Sequence, residues 1–483
     1  MRHRLPRLSV AILLLIFLVA AGLRLSATFA LHRWDDPAPG VNRQLAVNLF
    51  EHGTLAFREF GHFGPSSVAT PAYPALLAGL FALFGGPEIP TSWFAALALN
   101  AAFGGATAVL VVLLARRCGA AWGWAAATGV VVAFWPAQVV AAQFAQPMVL
   151  AGMLALLACL LWRRAVEHAG TGTWVAFAFV ASVASMLLPA LLPALAAAWL
   201  VVPFVRRWPG DVRWRNAVLF SAMVGLVWLP WLGRNHAIHG QPVITTRFWQ
   251  QAWSASNPNA TGSDRLPLTP ERHLAARGML TDPGDEGPAG LAAARIALTQ
   301  ADLLTPRQRA ELAGQPEAAR EALFARWTID AWRDARSPWL AQLPVRLGKA
   351  WAIDWDHPMS RHPLALVPRL VVALAAGAAV FMLPALRRRT GHAGIDAGLA
   401  AMLVALLSTV LAQATLLASA KTVVTVEPIQ IAFAAVVAGR LLACRAVQQA
   451  DLAAGAVGIA PAHPGRAGFD ELQEAEFGPA HPR

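Results

Sequence analysis

Cysteine is scarce in this chain, and the cysteines that it has are not placed to form a disulfide framework. There are three, Cys118, Cys159 and Cys444, and all lie in or beside apolar runs. The long polar intervals contain none, so disulfides cannot stabilise them even in an oxidising compartment. The sequence also has no CxxC or HExxH pattern, so no metal-site motif is present.

Charged residues are scarce as well, and this excludes an ordinary soluble protein. They make up 14% of the 483 residues, against 57% hydrophobic residues, and the mean hydropathy is +0.50. A soluble domain of this size does not need so many apolar side chains. Runs of about 20 apolar residues recur along the chain, as in membrane-spanning helices. The sequence therefore predicts an all-α polytopic membrane protein.

The net charge of +12 does not indicate a nucleic-acid partner. Basic residues lie in short clusters at the ends of apolar runs, as the positive-inside rule produces. If the N-terminus is cytoplasmic and the short run 70–86 does not cross the membrane, every cluster falls inside. We therefore expect about ten spans, with eleven as the alternative. The clusters are Arg116–Arg117, Arg163–Arg164, Arg206–Arg207 and Arg387–Arg389.

Two polar intervals interrupt the apolar runs, and this topology places both in the periplasm. Long polar segments must lie outside the bilayer, because backbone amides in lipid need partners within a helix or barrel. We expect the chain to divide into an N-terminal transmembrane module at 1–234 with a periplasmic loop at 31–67, a small helical periplasmic domain at 235–363, C-terminal transmembrane helices at 364–444 and a disordered cytoplasmic tail at 445–483.

The spans between residues 92 and 233 have no Asp, Glu, Lys, Arg or His in their interiors. Ion-coupled transporters and proton pumps usually carry such groups at mid-depth, so the pattern argues against transport. Ionisable residues instead collect at the outer mouth of the bundle. A lipid-linked substrate would place its head group there and its tail between the helices. The residues are Arg24, Asp35, Asp36, Arg234, Arg369, Lys421 and Glu427.

Arg24, Arg234 and the acidic pair of this group each have a structural and a functional interpretation. Arg24 ends the first helix on the outer side, where it is either a snorkelling arginine or a functional one. Arg234 ends a later span on the same side, and we favour phosphate binding, which suits a planar guanidinium. Asp35 and Asp36 form either a solvated acidic turn or a general base for an acceptor hydroxyl. Their place near the membrane surface, opposite outward arginines, favours the base.

Several segments resemble bacterial membrane glycosyltransferases of family 39, which are relatives of protein O-mannosyltransferases and lipid A aminoarabinose transferases. The strongest segment runs from PWLGRN through GQPVITT to NPNATG, residues 230–262. The N-terminal layout is also similar: Arg24 closes the first helix, an acidic pair follows, and AVNLFEHG (46–53) and PAYPALLAGLFALFG (71–85) come next.

The resemblance implies a GT-C fold and an inverting transfer of a sugar from a polyprenyl-phosphate donor to a periplasmic or lipid-linked acceptor. It implies that Asp35 or Asp36 is the essential carboxylate and that Arg234, Arg24 and Lys421 contact the donor phosphate. The other candidate substrate-site residues are Tyr73, Asn235, Asn257 and Glu427. Membrane lipids are the remaining partner, and the bacterial inner membrane, with the site facing the periplasm, is the expected location.

The sequence departs from the family pattern at three anchors, which leaves an alternative function open. The stretches at 69–74 and 187–189 lack the expected basic residue, and 421–428 is a reduced form of the family motif. A catalytically degenerate scaffold or lipid carrier with the same fold is the alternative.

No cofactor is expected. Asp354, Asp356, His357 and His362 could bind a divalent cation, but a polar interfacial turn flanked by tryptophan is the favoured interpretation. In the preceding segment, four apolar residues recur at four-residue spacing and predict one face of a helix. They are Ala319, Leu323, Trp327 and Ala331.

Overall fold

The computed structural model describes most of the chain as helix. The described residues are 7–35, 40–168, 170–201, 210–257, 263, 304–334, 338–354, 363–390, 397–416 and 419–456. The helices are α1 (Arg7–Ala30), α2 (Val41–His52), α3 (Ala72–Phe84), α4 (Pro90–Arg117), α5 (Trp122–Ala133), α6 (Pro136–Ala141), α7 (Met148–His168), α8 (Thr171–Leu187), α9 (Leu192–Val201), α10 (Gly210–His239), α11 (Phe248–Ser256), α12 (Pro306–Leu312), α13 (Glu317–Arg333), α14 (Pro338–Ala341), α15 (Leu343–Trp351), α16 (Pro363–Thr390), α17 (Ala397–Thr415) and α18 (Ala420–Ala456). A 3-10 turn, Pro189–Leu191, precedes α9, and the strands β1 (Ala56–Glu59) and β2 (His62–Pro65) form a hairpin.

Seven of the described helices are long and apolar enough to cross a membrane: α1, α4, α7, α10, α16, α17 and α18. The shorter apolar helices α3, α5, α8 and α9 correspond to the remaining apolar runs of the sequence. The prediction of an all-α polytopic membrane protein is confirmed. At about 1.5 Å per residue, the 13 residues of α3 span roughly 20 Å, less than a hydrocarbon core of about 30 Å. The short length of α3 favours ten spans over eleven, and the number remains a prediction.

The helix α18 occupies the centre of the bundle, and 78% of its apolar window is buried. It packs against α4, α5, α7, α16 and α17. The helix α1 lies at the periphery, with 17% of its window buried, and packs mainly on α4. Large apolar side chains such as Leu226, Leu374 and Phe381 point outward from α10 and α16. Such outward leucines and phenylalanines are what a lipid environment requires.

The first polar interval is folded rather than extended. Helix α2, the hairpin and α3 follow one another, and α3 packs on α2 and α4. The hairpin pairs Ala56 with Pro65 and Glu59 with His62. Its turn places Phe60 and Gly61 at φ of 50° and 79°, the left-handed region that two-residue hairpin turns require.

The second polar interval is helical in its described part, from α11 to α15. The predicted helix around Leu323 is α13. The buried residues are Glu317, Arg320, Glu321, Phe324 and Thr328, while the predicted apolar face is only half-buried. Helix α13 turns its charged side inward because the hairpin and α11 offer it hydrogen-bond partners. Residues 264–303 lie outside the described part of the chain.

Candidate active site

The helices α1 and α10 finish at the same side of the bundle, and we call this side the loop end. The hairpin and helix α13 also lie there, because Ser67 contacts both the end of α10 and Glu317. All the candidate site residues were expected at this end. The structure shows which of them are accessible and which are already engaged by the protein.

The acidic pair follows α1 at the loop end. The side chain of Asp35 is 59% exposed, and its carboxylate lies 4.0 Å from Nδ1 of His32. The preceding Trp34 packs edge-on against Phe29 and Phe94, which fixes the chain as it leaves the helix. Asp36 lies outside the described residues. Asp35 is therefore a solvent-accessible carboxylate on a supported turn, where an acceptor hydroxyl can reach it.

A break in the helical structure lies beside this turn. Helix α5 ends at Ala133, α6 is a six-residue helix, and α7 begins only at Met148. Polar side chains hold the segment between α6 and α7: Asn42 donates to Oε1 of Gln146 (3.3 Å), and Asn100 donates to the carbonyl of Phe144 (2.8 Å). Tyr73 is buried and hydrogen-bonded to the same Asn100. Tyr73 thus supports this segment through Asn100, and its own side chain is not accessible to a substrate.

Arg24 is fully buried and bound to backbone carbonyls. Its Nη1 donates to Ala20 (2.8 Å) and Ala133 (3.0 Å), and its Nη2 donates to Val132 (3.3 Å). The break before Pro136 leaves carbonyls at the end of α5 without helical partners, and the negative end of the helix dipole favours a cation there. Arg24 therefore caps α5 inside the bundle.

Arg234 lies half-buried near the end of α10 and holds the first loop. Its Nη1 donates to the carbonyl of Ser66 (3.1 Å), to Oγ of Ser67 (3.2 Å) and to Oδ1 of Asn235 (3.0 Å). Its Nη2 donates to the carbonyl of Leu55 (3.2 Å). Nε of Arg234 takes part in none of these hydrogen bonds. Arg234 is thus both positioned by the loop and able to offer a further donor.

Asn235 and Glu317 complete this contact between loop and bundle. Asn235 is buried, accepts from Oγ of Ser67 (2.6 Å) and donates to the carbonyl of Val243 (2.7 Å). The carboxylate of Glu317 accepts from Oγ of Ser66, from the amide of Ser67 (2.8 Å) and from Oγ1 of Thr246 (2.7 Å).

Sequence reasoning missed Glu317 because nothing local marks it. Its partners Ser66 and Ser67 lie some 250 positions away along the chain. His239, whose Nε2 is 3.7 Å from its carboxylate, was also missed. No periodicity or motif connects these residues, and only the folded structure does so.

Glu427 forms a buried ion pair inside the bundle. Its Oε1 lies 2.6 Å from Nε of Arg369, and its Oε2 accepts from Nε1 of Trp135 (2.8 Å). Trp135 stands two residues after the carbonyl of Ala133 that Arg24 caps. The pair and Arg24 thus lie at the same break in the helices. Lys421 belongs to the first turn of α18, at the loop end, and only its backbone is described.

The remaining polar candidates follow the ends of α11 and α15 in the chain. Asn257 follows the last residue of α11 and is half-buried. Asp354 is buried and accepts from Oγ of Ser263 (2.6 Å), while Asp356, His357 and His362 lie outside the described residues. In the described part of the chain, no group of three or more His, Cys, Asp or Glu side chains is placed to hold a metal ion.

No protein-family model and no curated protein matches the chain. Among solved structures, it is similar to the Archaeoglobus fulgidus oligosaccharyltransferase tethered with an acceptor peptide, with 12% identity, a TM-score of 0.49 and coverage of 97% of this chain and 53% of that one. It is also similar to ArnT from Cupriavidus metallidurans bound to undecaprenyl phosphate, with 18% identity, a TM-score of 0.35 and coverage of 88% and 77%. The chain thus spans about half the length of the archaeal enzyme.

Proposed function

We propose that this chain is a glycosyltransferase of the bacterial inner membrane with a GT-C fold. It would move a sugar from a polyprenyl-phosphate donor to an acceptor at the loop end, which faces the periplasm in this proposal. The observation that carries the proposal is the exposed carboxylate of Asp35 at the same end of a membrane bundle as the half-buried guanidinium of Arg234. Both lie in segments that resemble family 39.

In the proposed reaction, an acceptor hydroxyl attacks the anomeric carbon of the donor sugar. Asp35 or Asp36 takes the hydroxyl proton as the new carbon–oxygen bond forms. The bond between the anomeric carbon and the phosphate oxygen breaks, and the polyprenyl phosphate leaves with the electron pair. A guanidinium beside the leaving phosphate stabilises the charge that develops there.

Arg234 is the proposed phosphate contact with the best geometry. Its bonds to the first loop hold the guanidinium in place before the donor arrives, which lowers the entropic cost of binding. Lys421 is proposed as a second contact from the start of α18. Arg24 is the third, but it would have to release the carbonyls at the end of α5. Tyr73, Asn235, Asn257 and Glu427 remain proposed substrate-site residues.

One observation favours the alternative, a catalytically inactive scaffold or lipid carrier. Three of the polar candidates, Arg24, Asn235 and Glu427, are buried and bonded to other parts of the protein. Such residues stabilise a fold whether or not a reaction takes place.

The two functions are separated by a transfer assay. Purified protein in proteoliposomes is incubated with radiolabelled polyprenyl-phosphate sugars and an extract of membrane acceptors. A transferase moves label from the lipid into acceptor material, and heat-denatured protein does not. Donor that binds tightly while all label stays on the lipid would support the carrier and contradict the transferase.

A further inference from the structure

The segment 338–351, which contains α14 and α15, has buried cations and exposed apolar side chains, the reverse of what a protein surface in water shows. Its cations face inward, with Arg346 fully buried and Lys349 at 4% exposure. Its apolar side chains face outward, with Leu340 at 68%, Val345 at 47% and Leu347 at 38% exposure. An amphipathic helix at a water-exposed surface has the opposite arrangement. This arrangement suits an environment outside the segment that is less polar than water.

The inward cations have a structural reason. Arg346 donates to the carbonyl of Ala414 (2.6 Å), to that of Ala255 (3.4 Å) and to that of Trp339. Ala414 and Ala255 lie in the last turns of α17 and α11, where carbonyls lack helical partners and the helix dipole is negative. One buried guanidinium therefore joins the ends of two helices to α14, and this fixes which face of the segment points outward.

The depth of the segment is set by the same contacts. Trp339 donates through Nε1 to the carbonyl of Thr415 (3.2 Å), the last residue of α17. The predominantly apolar helix α17 has 19 residues and extends about 28 Å, close to the thickness of a hydrocarbon core of about 30 Å. The segment therefore lies where a membrane-spanning helix would leave the hydrocarbon. The other end of the segment is held against α16, where Trp351 donates through Nε1 to the carbonyl of Ala373 (2.9 Å), ten residues after the start of that helix.

We propose that segment 338–351 lies in the surface of the lipid bilayer at the loop end, with Leu340, Val345 and Leu347 inserted at the boundary between head groups and acyl chains. The partner is the lipid leaflet itself, and the proposal does not depend on the transferase function. Leu364 and Val367 are likewise exposed at the start of α16. An interfacial helix with an apolar face of this kind binds a membrane along its length.

Spin labelling in proteoliposomes tests this placement. Cys444 is replaced by serine, and Cys118 and Cys159 stay because they are buried. A nitroxide is attached to Leu340→Cys or to Leu347→Cys, and its collisions with oxygen and with a water-soluble nickel chelate are compared. The lipid control is Leu374→Cys in α16, and the water control is Arg326→Cys in α13, whose side chain is 60% exposed.

At both positions we expect oxygen collisions to exceed nickel collisions, with a ratio within a few-fold of that at Leu374→Cys. A ratio equal to that at Arg326→Cys would place the segment in water and overturn the proposal. Low collision rates with both reagents would mean that protein covers the face. Spin–spin broadening between labels at Leu347→Cys would mean that a second copy covers it. Either result overturns the proposal.

Discussion

At the residue scale, Arg24 and Arg234 show how differently two outward arginines can be used. The sequence alone placed both at helix ends where charge bias disfavours arginine and gave them similar roles. In the structure α1 continues to Ala30 and α10 to His239, so both arginines lie inside their helices, within two turns of the end. Arg24 is buried and caps the end of α5 through two carbonyls. Arg234 is half-buried and holds a loop while part of its guanidinium stays accessible. An incoming phosphate would therefore meet Arg234 more readily than Arg24.

Replacing Arg234 should weaken donor binding. Loss of one charge-assisted contact costs about 1.5–3 kcal/mol, so we expect Arg234→Ala to raise the donor Kd by about 10- to 150-fold. Arg234→Lys should also be impaired. An ammonium cannot bond the loop carbonyls and at the same time offer the phosphate a planar two-point contact. Equilibrium binding of a labelled polyprenyl-phosphate donor to protein in nanodiscs measures the donor Kd of both variants.

The matched control for this prediction is Arg247→Ala. Arg247 pairs with Glu59 on the same hairpin (3.1 Å), so its loss also loosens the loop and removes a cation. We expect that variant to change the donor Kd by less than about three-fold. An Arg234→Ala protein that binds donor as tightly as wild type would move the phosphate site to Lys421 or Arg369.

At the scale of elements, the contact of α1 with α4 depends on a glycine. A Cβ on Gly104 would lie 2.3 Å from Nε and 2.5 Å from Cδ of Arg24. Arg24 cannot move away without losing its bonds to α5. Gly104→Ala should therefore destabilise the protein by about 1–3 kcal/mol, as overpacking does, and lower its thermal midpoint.

Gly79→Ala in α3 is the control, because its Cβ would meet nothing within 4 Å. A helical glycine in open space should gain slightly from alanine. If both variants have the same thermal midpoint, α1 is not held against α4 in the way described.

The attachment of α13 should depend on pH through Glu321. Its Oε1 accepts from the amide of Trp249 (2.7 Å), and its Oε2 has no partner among the described residues. Burial is the main cause that raises the pKa of Glu321 to about 7, and nearby Glu317 raises it further, against the amides at the start of α11. Glu59, Arg320 and Arg247 are the other charged groups at this contact.

The sign of the effect follows from proton binding. Between the ordinary pKa of 4.5 and about 7, the folded protein keeps a proton that the unfolded chain has lost. The stabilisation of the fold by this bound proton is complete below the ordinary pKa. It falls as pH rises through this window and is absent above it. We expect a loss of roughly 3 kcal/mol at most, and thus a lower thermal midpoint at pH 8 than at pH 5.

Glu321→Gln should flatten this pH dependence, because the amide mimics the protonated acid. Asp330→Asn on the same helix is the control, since its side chain is 63% exposed. A Gln variant whose thermal midpoint falls with pH as steeply as that of the wild type would show that another group titrates.

The sequence was sufficient for the elements that length and apolar composition determine. In the described part of the chain the apolar runs are helical, because a long apolar segment in lipid has no other way to satisfy its amides. The exception is the run that contains α5 and α6, which is broken between Ala133 and Pro136. The buried face of α13 could not be predicted, because the periodicity weighs only apolar side chains. The partners that bury Glu317 and Glu321 come from the hairpin and from α11, which are distant in sequence.

At the scale of the whole molecule, the sequence predicted that polar candidates gather at one end of the bundle. That prediction rests on charge bias and on the positions of helix ends. They could not show that Glu427 pairs with Arg369 or that Trp135 joins them, because these partners come from α18, from α16 and from the break between α5 and α6. The candidate site is therefore smaller than the sequence suggested: Asp35 and Arg234 are its most accessible described members.

The central claim is that a carboxylate after α1 drives sugar transfer, and one measurement tests it most directly. Transfer of label from a polyprenyl-phosphate sugar is compared for wild type, Asp35→Asn, Asp36→Asn, the double variant and the control Asp211→Asn, which is exposed at the opposite end of α10. We expect the control to match wild type and one single variant to lose about 10²- to 10⁴-fold in rate, as removal of a general base does. A double variant that transfers sugar at the wild-type rate would contradict the account.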